Sequence, residues 1–130
     1  MQLKTIREYT KKNFNFDGPF YIGKIDNTKE KAICFYHNKT PMANSTAIGG
    51  KANKSYTVNA VTILLRYGQN ADIAEQKAEE IQAFFDEKTL TIDNKRVFVI
   101  SRYEKPIPLG TDDKGIYEYS FMFDFYETKE

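Results

Sequence analysis

Tryptophan is absent, and cysteine and histidine occur once each, at Cys34 and His37. A single thiol excludes an internal disulfide framework and a cysteine metal cluster. A single imidazole leaves a His-based catalytic or zinc site short of ligands, so neither a metal nor another cofactor is expected. No apolar run approaches the roughly 20 residues that cross a membrane as a helix, and no membrane partner is expected. The first 15 residues, MQLKTIREYTKKNFN, lack the apolar core of a secretory leader. Charge of one sign is not in excess either: 19 basic side chains face 18 acidic ones. That balance fits neither a disordered polyelectrolyte nor a strongly basic nucleic-acid module. What remains is a polar, near-neutral chain of 130 residues, 41% hydrophobic, sized for a single domain over 1–130.

The balance conceals an asymmetry. Residues 1–66 hold 11 basic and 4 acidic side chains, a net +7, whereas residues 67–130 hold 8 and 14, a net −6. Ten phenylalanines and nine tyrosines compensate for the missing tryptophan. Aromatic and β-branched residues favour strands, so the composition leans towards a sheet.

The spacing of Leu3, Ile6 and Tyr9 predicts a helix that stops by Asn13. Two short apolar runs, Phe20-Tyr21-Ile22 and 32–36, flank Asp26-Asn27-Thr28, whose side chains suit a turn, and a hairpin is expected. Residues 56–67, YTVNAVTILLRY, read as a long strand with Val61, Ile63 and Leu65 on one face. A helix follows over 71–87, started by Asp72 with Glu75 as a capping box. Its inner stripe is Ile73, Ala74, the Lys77 stem, Ala78, Ile81, Phe84 and Phe85, with Glu75, Glu79, Glu80 and Asp86 outside. A strand over 95–103 should end at Pro106 and Pro108, which cannot donate to a ladder. The last strand, 116–126, alternates with Tyr117, Tyr119, Phe121, Phe123 and Phe125 on one face. The predicted fold is therefore α+β, a mainly antiparallel sheet of about five strands with helices on one face.

Between His37 and Ser55 the periodicity disappears. The stretch HNKTPMANSTAIGGKANKS contains no acid and is rich in Asn, Ser, Thr and Gly, which predicts a long mobile loop over 38–55. Its Ile48-Gly49-Gly50-Lys51-Ala52 is not a phosphate loop, since Ser45 stands where the first glycine belongs and Ala52 where Ser or Thr is needed. Lys39, Lys51 and Lys54 can approach DNA phosphates or an acidic neighbour, or simply be solvated. Asp112 and Asp113 sit in a Gly-flanked turn, where turn chemistry explains them better than a metal or acid–base pair. Cys34 reads as a buried reduced thiol. The aromatic stripe of the last strand either packs in a core or interface or stacks on bases; the acids Glu118, Asp124 and Glu127 beside it favour packing.

Three segments, YTVNAVTILLRYGQN, ADIAEQKAEEIQAFFDE and PIPLGTDDKGIYEYSFMFDFYE, resemble the small minor capsid proteins of tailed bacteriophages. Those are in turn similar to tail terminator, or head–tail joining, proteins. The likeness covers roughly residues 56–127, with residues 1–55 matching only in layout. It implies a structural, non-enzymatic protein of a phage or prophage virion, assembled in the host cytoplasm. Such a protein forms a ring, commonly a hexamer, that closes the tail tube, meets head connector proteins and lets DNA pass. A ring needs one face of a subunit to meet a different face of the next, and oppositely charged halves suit that requirement. On this reading Lys39, Lys51 and Lys54 line the channel or grip a neighbour's acidic helix face around Glu75, Glu79 and Glu80. The lysines lie outside the well-matched region, so the resemblance does not itself assign them. The alternative is a nucleic-acid-binding module using the basic loop and the aromatic sheet; a small-ligand enzyme lacks a converging set of polar groups.

Overall fold

Periodicity explains both helices, and side-chain capping the start of the second, in the structure, a computed structural model that describes residues 1–38 and 56–128. Helix α1 spans Leu3–Asn13 and buries Leu3, Ile6 and Thr10. The Thr10 hydroxyl donates to the Ile6 carbonyl at 2.8 Å, which lets a polar residue sit inside. Lys11 and Lys12 occupy the last turn, where the helix dipole favours cations. Helix α2 spans Ala71–Phe85. Its N-cap is Asn70 rather than Asp72: the Asn70 Oδ1 accepts from the backbone N–H groups of Asp72 and Ile73 at 3.0 and 3.2 Å. The helix stops at Phe85, two residues short of expectation, because Glu87 takes a left-handed φ of 57° and turns the chain into a strand. Ala74, Ala78, Ile81 and Phe85 face inward as expected, but Ile73 is 51% exposed. It shares the first turn with buried Ala74 but points off the arc of the helix that faces the sheet.

Seven strands form one sheet: β1 Phe20–Ile22, β2 Lys31–His37, β3 Tyr56–Tyr67, β4 Lys88–Ile92, β5 Lys95–Ser101, β6 Ile107–Thr111 and β7 Tyr117–Thr128. The order is β1-β2-β3-β7-β5-β4, with β6 added beside β7. All pairs are antiparallel except β1–β2, which is parallel, with Phe20 opposite Ile33. The expected hairpin is thus corrected. The turn chemistry is present, since Asp26 Oδ1 accepts from the Thr28 N–H and hydroxyl at 2.9 and 2.7 Å. Residues 23–30 nevertheless carry the chain back beside the start of β1, and their carbonyls serve Arg66 instead.

Two further strands exceed the expected five. β4 forms a hairpin with β5 through Asp93 and Asn94, both at positive φ (51° and 63°), which is the backbone of a tight two-residue turn. β6 contains Pro108 and pairs with the first part of β7, with a bulge between Pro108 and Gly110. As an outer strand it has no ladder to maintain on its far side, so proline is tolerated. β7 is the central plank. β3 runs along one side from Arg66 opposite Glu118 to Tyr56 opposite Thr128. Along the other side lie β6 at residues 117–120 and β5 at residues 123–127.

Both helices cover the same face. Ile33, Phe35, Val61, Ile63, Leu65, Val97, Val99, Phe121, Phe123 and Phe125 meet Leu3, Ile6, Ala74, Ala78, Ile81 and Phe85 in one core. Phe85 sits at its centre, its ring 5.2 Å from that of Phe123 and 5.7 Å from that of Phe125. The helices touch each other through Phe84, whose ring is 6.1 Å from Tyr9 and 5.1 Å from Phe14. The predicted loop over 38–55 lies outside the described residues, apart from Asn38 at the end of β2.

Candidate assembly surface

Those residues singled out in sequence that are described scatter rather than converge on a reactive centre. His37 stands exposed at the end of β2. Cys34 is fully buried on the same strand, and burial pushes its thiol up from the usual range, as expected of an inert core cysteine. Among the described residues no three His, Cys, Asp or Glu side chains are grouped to hold a metal ion. No described helix is long and apolar enough to cross a membrane.

Asp112 is a turn residue, as its flanking glycines predict. Its Oδ1 accepts from the N–H groups of Lys114 and Ile116, both at 2.9 Å. Those backbone bonds, above all that of Ile116, hold its carboxyl below the usual range, with Arg66 adding to the effect. The Arg66 contact is invisible in sequence. This guanidinium, 2% exposed, donates to Asp112 Oδ2 at 2.8 Å and to Glu118 Oε2 at 2.9 Å. Two more donors reach the Asn27 and Lys29 carbonyls at 3.3 Å each. Burial alone would make Arg66 easier to deprotonate, but its two carboxylate partners outweigh that and raise its pKa. The cluster ties the β1–β2 connection to the β6–β7 turn and is structural.

The aromatic stripe of β7 faces the helices. Phe121, Phe123 and Phe125 are buried, and the partly buried Tyr117 and Tyr119 pack at the core's edge, so most of the stripe is core. The opposite face of the sheet carries exposed Phe98 and Ile100, with the Tyr56 and Tyr126 rings 5.6 Å apart near them. There Arg102 grips Asp124 through Nε and Nη2 at 2.9–3.2 Å.

Glu75, Glu79 and Glu80 are all exposed on α2, as its period requires. Glu80 lies 3.4 Å from Lys77, whereas Glu75 and Glu79 border a groove of about 660 Å³ between α2 and the segment leading into β6. Ala78, Ala83, Pro106, Pro108 and Tyr119 give the groove an apolar floor, and Glu75, Glu79, Asp86 and Glu104 an acidic rim; Lys88 and Lys105 line it as well. Burial raises the Tyr119 phenol above its usual range, and the charges of Glu75 and Glu79 contribute. Lys39, Lys51 and Lys54, the expected basic counterparts, lie outside the described residues.

Both helices thus lie on one face of a mainly antiparallel α+β sheet. A family model described as bacteriophage tail terminator protein matches residues 3–126. The chain belongs to the bacteriophage tail terminator family. This tail terminator family is structural rather than enzymatic. No curated protein matches the chain. A solved structure with 14% identity, covering 98% of this chain and 89% of its own, superposes with a TM-score of 0.52. At that identity the likeness establishes the tail terminator's fold alone. The match spans α1 to β7, so it includes the N-terminal elements that resemble the family only in layout.

Proposed function

We propose that this protein acts without enzymatic activity as a single α+β domain that closes the end of a finished tail tube as a ring, most simply a hexamer. One rim of the ring meets the tail tube protein and the other the head connector proteins, so the protein resides in the virion after assembly in the host cytoplasm. The observation that carries the reading is the family match over residues 3–126, nearly the full chain. Its polarised charge supports a head-to-tail ring, in which unlike faces meet. Lys39, Lys51 and Lys54, in a stretch without acids, line the channel, where they balance phosphates during transient, non-specific passage of DNA.

Electron microscopy of particles from a phage lacking this gene tests the reading. Overlong or headless tails are expected, and normal particles would overturn it. Replacing the three lysines with Glu should leave the ring in place but slow DNA passage, read as delayed genome entry in an infection time course. Unchanged entry would remove the channel assignment.

A further inference from the structure

The helices lie side by side, joined through Tyr9, Phe14 and Phe84, and each presents a flank of opposite charge on its far side. On α1, Lys4, Arg7 and Lys11 recur three and four residues apart and form one stripe, with Lys12 and Glu8 beside it. Lys4, Lys11 and Lys12 are exposed, and among the described residues Arg7 pairs with its exposed neighbour Glu8, at 3.0 Å. On α2, Glu75, Glu79, Gln82 and Asp86 recur at helical spacing and form one wall of the groove.

We propose that the groove between α2 and β6 receives the outer face of α1 from a second copy of this chain. The inference rests on the ring reading and names the contact that builds it. Charge complementarity selects the occupant. Arg7 and Lys11 are one turn apart, as are Glu75 and Glu79, so each pair spans about 6 Å at 1.5 Å per residue. Lysine stems are apolar for most of their length, and they can cover Ala83, Pro106 and Pro108 while their heads reach the carboxylates. The Arg7–Glu8 pair is a surface interaction of small worth, so exchanging it for Glu75 or Glu79 costs little. Lys88 and Lys105 in the same groove repel a misplaced basic helix and so help set its register. Like-on-like pairing is disfavoured, since α2 against α2 sets acid on acid and α1 against α1 sets base on base, which leaves α1 against α2, used either reciprocally between two copies or head to tail. In the ring reading the contact is used head to tail: each copy that fills a groove leaves its own groove open for another, the geometry that closes rings, whereas a reciprocal exchange would stop at a dimer.

The test compares the full chain with Arg7→Glu/Lys11→Glu, with Glu75→Lys/Glu79→Lys and with the variant carrying all four changes. Sedimentation at low salt reads self-association, and electron microscopy reads rings on purified tails. Each double variant should associate at least about tenfold more weakly, and the fourfold variant should recover. If rings persist and both double variants associate normally, the contact is overturned and the ring reading stands. If the charge swap governs association but tails carry no closed ring, the contact stands and the ring reading falls. If the unaltered chain associates in neither setting, both fall. Should a charge variant fail to fold, mixing Lys11→Cys with Glu79→Cys chains keeps the test open. Both positions are exposed and Cys34 is buried, so oxidation should give a mixed dimer, and its absence overturns the contact.

Discussion

Arg66 and Glu118 stand directly opposite each other on β3 and β7, and their side chains meet at 2.9 Å. The same guanidinium reaches Asp112 at 2.8 Å. Replacing Arg66 with Ala strands two half-buried carboxylates and two carbonyls, and should cost about 3 kcal/mol of stability. Arg66→Lys should cost less, since it keeps the charge but not the planar fork that serves four acceptors. Urea denaturation reads both; an Arg66→Ala midpoint equal to that of the unaltered protein would refute the structural role.

Asp17 gives a pH signature. Its carboxylate accepts from Lys31 Nζ at 2.8 Å and from the Tyr67 hydroxyl at 2.6 Å. The Lys31 bond, and then that of Tyr67, hold its pKa near about 2, below the usual 3.8. A depressed carboxyl pKa stabilises the fold above the unfolded value and stops doing so as pH falls through the folded one. The stability gap between the unaltered protein and Asp17→Asn should therefore be full above about pH 4 and close towards pH 2. Because Asp17 is exposed the gap is small, so unfolding midpoints are best measured at low salt. A gap independent of pH across that window would contradict the assignment.

Capping of α2 offers a third check. Asn70→Ala removes the acceptor for two N–H groups and should destabilise by about 1 kcal/mol. Asp72→Ala removes only a charge near the helix dipole, worth about 0.5 kcal/mol. Thermal melts that rank the two the other way would restore Asp72 as the cap.

The elements legible in sequence were those with long, uniform periods. β3 and β7 each run for 12 residues with apolar side chains on alternate positions, and α1 and α2 carry clear stripes. The parallel pairing of β1 was hidden because a side-chain turn at Asp26 does not dictate which way the next strand runs. β4, with the sequence KTLTI, has too little apolar content to be noticed before its hairpin forms. β6 was hidden by Pro108 within it and Pro106 just before it, since proline argues against a strand only where both edges are paired. The acidic face of α2 followed from helical period, but the groove beside it did not, since Glu75 and Pro108 are brought together only by the sheet. Counting charge by halves of the chain also obscured the basic stripe of α1, which is a local feature of one helix.

The position of β7 between β3 and the β5–β6 pair bears on how the protein is made. β7 emerges from the ribosome after the other six strands, and until then β1–β2–β3 and β4–β5 are separate ribbons with open edges. Open edges of this kind invite wrong pairings, and sheets built from distant segments fold slowly. The nascent chain therefore cannot complete its core, or align the helix flanks that would meet a neighbour, until the residues of β7 have been synthesised. The strand that joins the two halves of the sheet is thus the last one to be made.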